Sequence, residues 1–337
     1  MPLVSVVMPV HNAAATVARA VSSVQTQTLR DWELIVVDDG STDSTREHLL
    51  EYSLNDPRLR VVTIDRRGIV AALNAGLAVA TGEFVARMDA DDESAPPRLA
   101  AQARFLQTNG DCGLVGCRVG FGGDRAVSAG YALHIEWINS LLTPREIALN
   151  RFVEAPFAHP SVMFRRTLVE DHGGYVEGGF PEDYELWLRW LDAGVPMAKL
   201  PEILLTWHDL PGRLSRTDKR YSPEAFYQLK AKWIAEWLRH DVVASREIWI
   251  WGAGRPTRKR AAHLAEHGIR IAGYLDIDAR KTGRDVGGVP VVLPEEMPSA
   301  ERCFVLSYVG NRGARDYNRN ELKAAGRVEG RDFLLCA

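Results

Sequence analysis

Short buried β-runs alternate with helical stretches through the first 110 residues, and this rhythm commits that part of the chain to a mostly parallel sheet flanked by helices. Val4–Val10 reads as a buried strand. Thr16–Leu29 reads as a helix with Val17, Val21, Val24 and Thr28 at helical spacing, and Glu33–Val37 as a second strand. The turn Asp38-Asp39-Gly40-Ser41-Thr42-Asp43 leads into a helix that stops before Pro57. Arg60–Ile64 and Ile69–Ala80 repeat the pattern, and the run Phe84-Val85-Ala86 then empties into Arg87-Met88-Asp89-Ala90-Asp91-Asp92. An acidic cluster reached directly from a strand lies at the carboxyl edge of the sheet, where one divalent cation and a phosphate can share its oxygens. Taken alone, an Asp-x-Asp also suits a solvated turn.

Beyond Pro96-Pro97, which opens a helix that breaks at Asn109-Gly110, the rhythm fades. Residues 111–210 carry strands near Leu114–Phe121 and Ser161–Phe164 and an amphipathic helix from Glu182 to about Ala193, as expected of a substrate-shaping half. Tyr221–Arg239 is a helix with Phe226, Leu229, Trp233 and Trp237 at helical spacing. A second start follows at Glu247–Trp251, with Gly252-Ala253-Gly254, a further strand Ile271–Leu275 ending at Asp276, and a later one at Cys303–Val309. This predicts a small Rossmann-like α/β domain of three or four parallel strands. Its glycine turn lacks the third glycine of a dinucleotide fingerprint, although Asp276 stands where a ribose-binding acid is expected. The expected division is 1–212, a basic linker and connecting helix over 213–244, and 245–337.

A formal charge of −3 gives no support to a nucleic-acid partner. Cys112, Cys117, Cys303 and Cys336 have no metal-finger or redox spacing, which fits a reducing, cytoplasmic setting. The N-terminus lacks a basic stretch with an apolar targeting core, and no run of eighteen apolar residues occurs, so a soluble or peripherally attached protein is expected. Arg213, Arg216, Lys219 and Arg220 form a basic segment that suits phosphate groups, the inner face of an anionic membrane, or plain solvent. Oligomeric state is not legible.

Val4-Ser5-Val6-Val7-Met8-Pro9-Val10-His11-Asn12, Asp38-Asp39-Gly40-Ser41-Thr42-Asp43, Met88-Asp89-Ala90-Asp91-Asp92 and Glu182-Asp183-Tyr184-Glu185-Leu186-Trp187 occur in this order. Over about residues 3–212 the chain thereby resembles the family 2 inverting glycosyltransferases of GT-A fold. The resemblance implies a mixed α/β sheet that binds a nucleoside diphosphate sugar and passes one sugar to a hydroxyl of a glycan or lipid-linked acceptor, in surface polysaccharide or glycoconjugate assembly. It implies that Pro9, His11, Asn12 and Asp39 hold the base and ribose. His11 stands where an aromatic Tyr is common in the family. Arg66 and Arg67 precede the third helix and suit either nucleotide contact or solvent. Asp91 is implied as the direct ligand of Mn²⁺ or Mg²⁺, with Asp89 nearer the ribose or just behind the metal's ligands, and His208 a later metal or diphosphate contact. Asp183, at a helix N-terminus, is implied as the base that takes the acceptor proton, with Glu182 orienting it and Trp187 walling the acceptor pocket. Ala158–Arg165 resembles the acceptor-side wall. The Gln-x-x-Arg-Trp motif and membrane helices of processive members are absent from the sequence. Two alternatives from other classes remain: a nicotinamide-linked nucleotide-sugar oxidoreductase acting through the C-terminal unit, and a non-catalytic nucleotide-sugar-binding protein.

Overall fold

A computed structural model describes residues 1–240, 245–311 and 313–337 of the chain. The end of the expected linker, residues 241–244, lies outside the described residues. The chain divides into two compact units: the first comprises Met1–Ile147, Pro156–Gly178 and Glu182–Thr217, and the second Ala148–Ala155, Gly179–Pro181 and Asp218–Ala337.

The first unit is built on one mixed sheet. Its strands are β1 (Val4–Val10), β2 (Trp32–Asp39), β3 (Leu59–Ile64), β4 (Phe84–Arg87), β5 (Glu93–Ser94), β6 (Leu114–Gly122), β7 (Met163–Arg165) and β8 (Met197–His208). Their spatial order is β3-β2-β1-β4-β7-β6-β8-β5. The first four run parallel, β7 is antiparallel to both β4 and β6, and β5 is antiparallel to β8. This is the α/β architecture expected from the sequence.

Every residue of β1 is buried, because helices cover both faces of the sheet. Val4, Val6, Met8 and Val10 enter one apolar cluster and Val7 the other, as the two-residue period of a strand requires. The helix Ile69–Val79 rides close on the second face. A Cβ at Gly76 would stand 2.5 Å from Val7 Cγ1, so only glycine permits that approach.

Several elements escape the sequence pattern. The helices Ala129–Ser140, Pro144–Asn150 and Thr167–His172 lie in the region where only strands, loops and one helix are expected, and β8 is a twelve-residue strand. Pro201 and Glu202 interrupt its apolar run. The ladder skips them, with Cys117 opposite Leu200 and Arg118 opposite Ile203, so the proline sits in a bulge where no ladder donor is needed.

The second unit carries a six-stranded sheet in the order β11-β12-β10-β9-β13-β14. These are β9 (Glu247–Trp251), β10 (Ile271–Leu275), β11 (Arg284–Val286), β12 (Val289–Val292), β13 (Cys303–Ser307) and β14 (Phe333–Leu335). All neighbours are parallel except the β11–β12 hairpin. The sheet is thus wider than the three or four strands expected. The helix Pro223–His240 belongs to this unit, and Lys230 within it donates to the carbonyls of Val153 (3.0 Å) and Cys336 (3.2 Å). No helix among the described residues is long and apolar enough to cross a membrane.

Candidate active site

Parallel strands deliver their carboxyl ends to one edge of the first sheet, and the first group of expected residues meets there. Pro9 lies buried on β1, and Asn12 beyond it has φ +50°, a left-handed conformation that asparagine tolerates. Asn12 Oδ1 accepts the Thr42 N–H at 2.8 Å, and its own N–H donates to Ser41 Oγ at 3.0 Å. His11 Nδ1 lies 2.9 Å from the Asp39 carbonyl oxygen. A carbonyl can only accept, so Nδ1 carries the proton in this contact and Nε2 is left as an acceptor.

Asp39 is 2 % exposed and works hard as an acceptor. Oδ1 receives the Arg67 N–H at 2.7 Å, and Oδ2 the Gly68 N–H at 2.9 Å together with the Arg66 guanidinium. Three of its roughly four acceptor positions are therefore filled. Arg67 meets Asp39 through its backbone, while its residue as a whole is exposed. Gly40 makes the turn between them possible, with φ +66° and a Cβ position 2.9 Å from the Arg66 nitrogen.

At the end of β4 the acids converge. Asp89, Asp91 and Asp92 each offer an oxygen within 4.8 Å of the others. Asp92, which the sequence motif contains but to which no role is assigned above, is fully buried. Its Oδ1 accepts the His208 N–H at 2.8 Å, and its Oδ2 is buried without a hydrogen-bond partner among the described residues. Burial, reinforced by Asp89, pushes the Asp91 carboxyl up to about 6 and raises Asp92 well above the usual carboxylate range, with Arg213 opposing. An all-oxygen set of three mutually repelling carboxylates, one with an orphaned oxygen, fits Mg²⁺ or Mn²⁺.

His208 does not join the three acids. The β5–β8 ladder pairs Glu93 with Thr206, which brings the His208 backbone to Asp92 while its Nε2 lies 3.8 Å from Glu93 Oε2. The basic segment is largely folded back. Arg213 donates to the His208 carbonyl at 2.8 Å and sits 4.7 Å over the Trp207 ring, Arg216 pairs with Asp209, and Arg220 with Asp218.

Asp183 and Glu182 open the helix Glu182–Asp192. Asp183 Oδ1 accepts the Tyr184 N–H at 2.7 Å. Burial, and then the adjacent Glu182, push its carboxyl up to about 7. Glu182 is buried, with His159 Nδ1 at 4.0 Å from its Oε1, and His159 Nε2 lies 2.8 Å from the Tyr175 hydroxyl. Burial keeps His159 neutral by lowering its pKa well below the ordinary range. Asn74 holds Tyr175 in place, donating to its carbonyl at 2.8 Å and accepting its N–H at 3.0 Å.

Trp187 requires a correction. It is 0 % exposed and packs edge-on against Phe157, His159 and Trp190, so it presents no surface to an acceptor and instead supports the helix from beneath. The helix buries residues on nearly every side, which leaves no solvent face for that ring.

Two arginines without a sequence assignment shape the site. Arg98, 0 % exposed, donates to the carbonyls of Arg87 (2.7 Å) and Val162 (3.3 Å), to Ser94 Oγ (2.8 Å) and to Gln102 Oε1 (3.1 Å), fixing the end of β4. Arg87 pairs with Asp89 at 2.7 Å, and its charge also acts on Glu182 and Asp183. The available signal was a cation inside an apolar run, Phe84-Val85-Ala86-Arg87-Met88.

With this geometry in hand, the family model described as "Glycosyl transferase family 2" matches residues 5–173. The chain belongs to glycosyl transferase family 2. It is 28% identical over 250 residues to the O-antigen biosynthesis glycosyltransferase WbnJ of Escherichia coli, covering 73% of this chain and 92% of the relative. It is 31% identical over 198 residues to the E. coli UDP-Glc:alpha-D-GlcNAc-diphosphoundecaprenol beta-1,3-glucosyltransferase WfgD, covering 55% and 68%. The crystal structure of S. aureus TarS 1-349 in complex with UDP-GlcNAc superposes with a TM-score of 0.57 at 20% identity, over 78% of this chain and 72% of that one. The protein is a glycosyltransferase, acting in glycan synthesis.

In the second unit Asp276 is 6 % exposed and accepts the N–H groups of Ala253 (2.9 Å) and Asp278 (3.0 Å) and the Lys281 ammonium (3.0 Å). The acid expected at a ribose thus serves its own turn. Lys259 and His263 both pair with Glu224. The four cysteines are free and buried.

Proposed function

We propose that residues 1–212 transfer a single sugar, with inversion, from a nucleoside diphosphate sugar to a hydroxyl of a glycan or lipid-linked acceptor, with Mn²⁺ or Mg²⁺ as cofactor. The observation that carries this is a cluster of three carboxylates, Asp89, Asp91 and Asp92, one of them paired with the buried Arg87 guanidinium, whose charge also acts on the buried Asp183. Pro9, His11, Asn12, Asp39 and Arg67 form the nucleoside side, with His11 Nε2 and the remaining acceptor position on Asp39 as its free hydrogen-bonding groups. Asp91, with Asp89 and Asp92, would hold the cation, and His208 stands at their margin. When bound, the ion neutralises charge on the departing diphosphate.

Asp183 takes the proton of the acceptor hydroxyl as its oxygen bonds to the anomeric carbon and the bond to the diphosphate oxygen breaks. A single displacement from the opposite face inverts the configuration. A base whose carboxyl titrates at about 7 is matched to this task near neutral pH. Glu182 orients and polarises Asp183 without itself reacting. Residues 213–244 are proposed as a connecting segment and 245–337 as a small Rossmann-like domain whose ligand is unassigned. An acceptor on a polyprenyl diphosphate, as in the name of the WfgD relative, would place the work at the cytoplasmic face of a membrane.

The test is Asp183→Asn assayed with Mn²⁺ and a panel of donors. Donor affinity should persist while turnover falls by about 10²–10⁴. A near-normal rate would move the base elsewhere, and binding without turnover by the wild type on every acceptor would favour a sensor over an enzyme.

A further inference from the structure

Arg87 ends β4 with a side chain that is 2 % exposed, yet among the described residues only Nη2 of its guanidinium has a hydrogen-bond partner, Asp89 Oδ1 at 2.7 Å. Nε and Nη1 are buried without an acceptor among the described residues. Incomplete pairing of this kind costs stability. A desolvated cation is compensated only by full hydrogen bonding, and an apolar side chain of similar volume is often neutral or better in such a place. Packing therefore does not explain why an arginine stands here.

Its surroundings do. The β4 register sets Arg87 opposite Val7 in the middle of the sheet, and Asp89, two residues on, carries the link to the acid cluster. From other elements come Tyr175 after the helix Thr167–His172, His159 from the turn His159–Ser161, and Glu182 and Asp183 from the first turn of the helix Glu182–Asp192. Each of these senses the Arg87 charge: Tyr175 and Glu182 stabilise it, while it favours the ionised form of Asp183 and the neutral form of His159. Burial, and then Glu182, oppose ionisation of Asp183, and Arg87 is the cation that offsets them in part.

We propose that Arg87 is a positioning residue that couples the two halves of the site, fixing Asp89 with one edge of its guanidinium and holding Asp183 as an oriented carboxylate beside Glu182 with its charge. It touches no substrate. Its effect on rate rests on the glycosyl-transfer reading above, but its effect on Asp183 does not.

The experiment compares wild type, Arg87→Met, which keeps volume and removes charge, and Arg87→Lys, which keeps charge. Protein carrying ¹³C-carboxyl aspartate is titrated from pH 5 to pH 9, with the Asp183 resonance identified by its loss in Asp183→Asn. In Arg87→Met the Asp183 titration should move up by about one pH unit, and in Arg87→Lys by much less. The acid limb of kcat/KM should follow, lowering the rate at pH 7 about fivefold. Arg87→Gln replaces Arg87→Met if the latter does not fold. An Asp183 titration unmoved by removal of the charge overturns the proposal, even if melting temperature falls. A wild type that transfers no sugar overturns the functional reading alone, because the carboxyl titration still decides the role of Arg87.

Discussion

Replacing Asp183 by Asn should stabilise the protein in alkaline solution and cost it its activity, and the size of the gain follows from the burial of one carboxylate. In the fold this group titrates at about 7 against an ordinary 3.8, so the folded chain holds the proton more tightly than the unfolded chain does. Stability is then greatest when both forms are protonated and is lost as pH rises from about 3.8 to about 7, the reverse of a salt-bridged aspartate. At a little over 1 kcal/mol per pH unit, the penalty relative to a neutral side chain is about 2 kcal/mol at pH 5 and about 4 kcal/mol at pH 8. Asparagine carries no such charge, and its Oδ1 can still accept the Tyr184 N–H. Urea unfolding of both proteins at pH 5 and pH 8, in chelator, should show the variant gaining about 2–3 kcal/mol on wild type between the two. Titrating groups away from Asp183 are common to both proteins and cancel, and loss of the negative charge that Glu182 faces adds to the gain. A difference independent of pH to within about 0.5 kcal/mol would refute the argument that this carboxylate is held in a site hostile to its charge.

Asp91→Ala should abolish the Mn²⁺ dependence of nucleotide binding, and calorimetry showing unchanged affinity with and without the ion would remove Asp91 as a ligand. Product mass spectrometry should find one added sugar per acceptor, and a long polymer would contradict single transfer. Arg98→Ala should destabilise the first unit by about 3–5 kcal/mol, because it takes the guanidinium donor from the Arg87 carbonyl, leaves the Val162 carbonyl with the Arg87 N–H alone and opens a large cavity; a loss under about 1 kcal/mol in denaturant titration would show that the end of β4 is fixed otherwise. Gly76→Ala should cost about 1–3 kcal/mol by forcing the helix Ile69–Val79 off Val7, read as a fall in melting temperature.

The elements that were legible in the sequence are those whose local pattern and tertiary fate agree. β1, β2 and β4 are apolar runs punctuated by Gly, Pro and Asp, and the structure buries them as such, while β3 at the sheet's edge buries only Leu59. β8 was hidden because a bulge places Pro201 and Glu202 inside an otherwise apolar strand, and β14 because three residues carry no period. Within the site, side chains at strand ends announce themselves through turn chemistry, as Asp39 and Asp91 do. Asp92 and Arg87 do not, since their importance comes from partners more than sixty residues away: the His208 N–H for one, Glu182 and Asp183 for the other. Trp187 misleads for a related reason. One turn of helix from a candidate base suggests a pocket wall, but the buried surroundings of that helix are a property of the whole sheet.

The convergence of Ala253, Asp278 and Lys281 on Asp276 bears on how the second unit would accept an anion. A carboxylate belonging to the chain itself already plugs the amide that an incoming phosphate would seek at the mouth of β9, and sutures the ends of β9 and β10 without outside help. Cutting that suture should slacken the sheet's rim before it opened a berth for any guest, so this glycine turn is better understood as a self-fastened hinge pin than as an empty cradle.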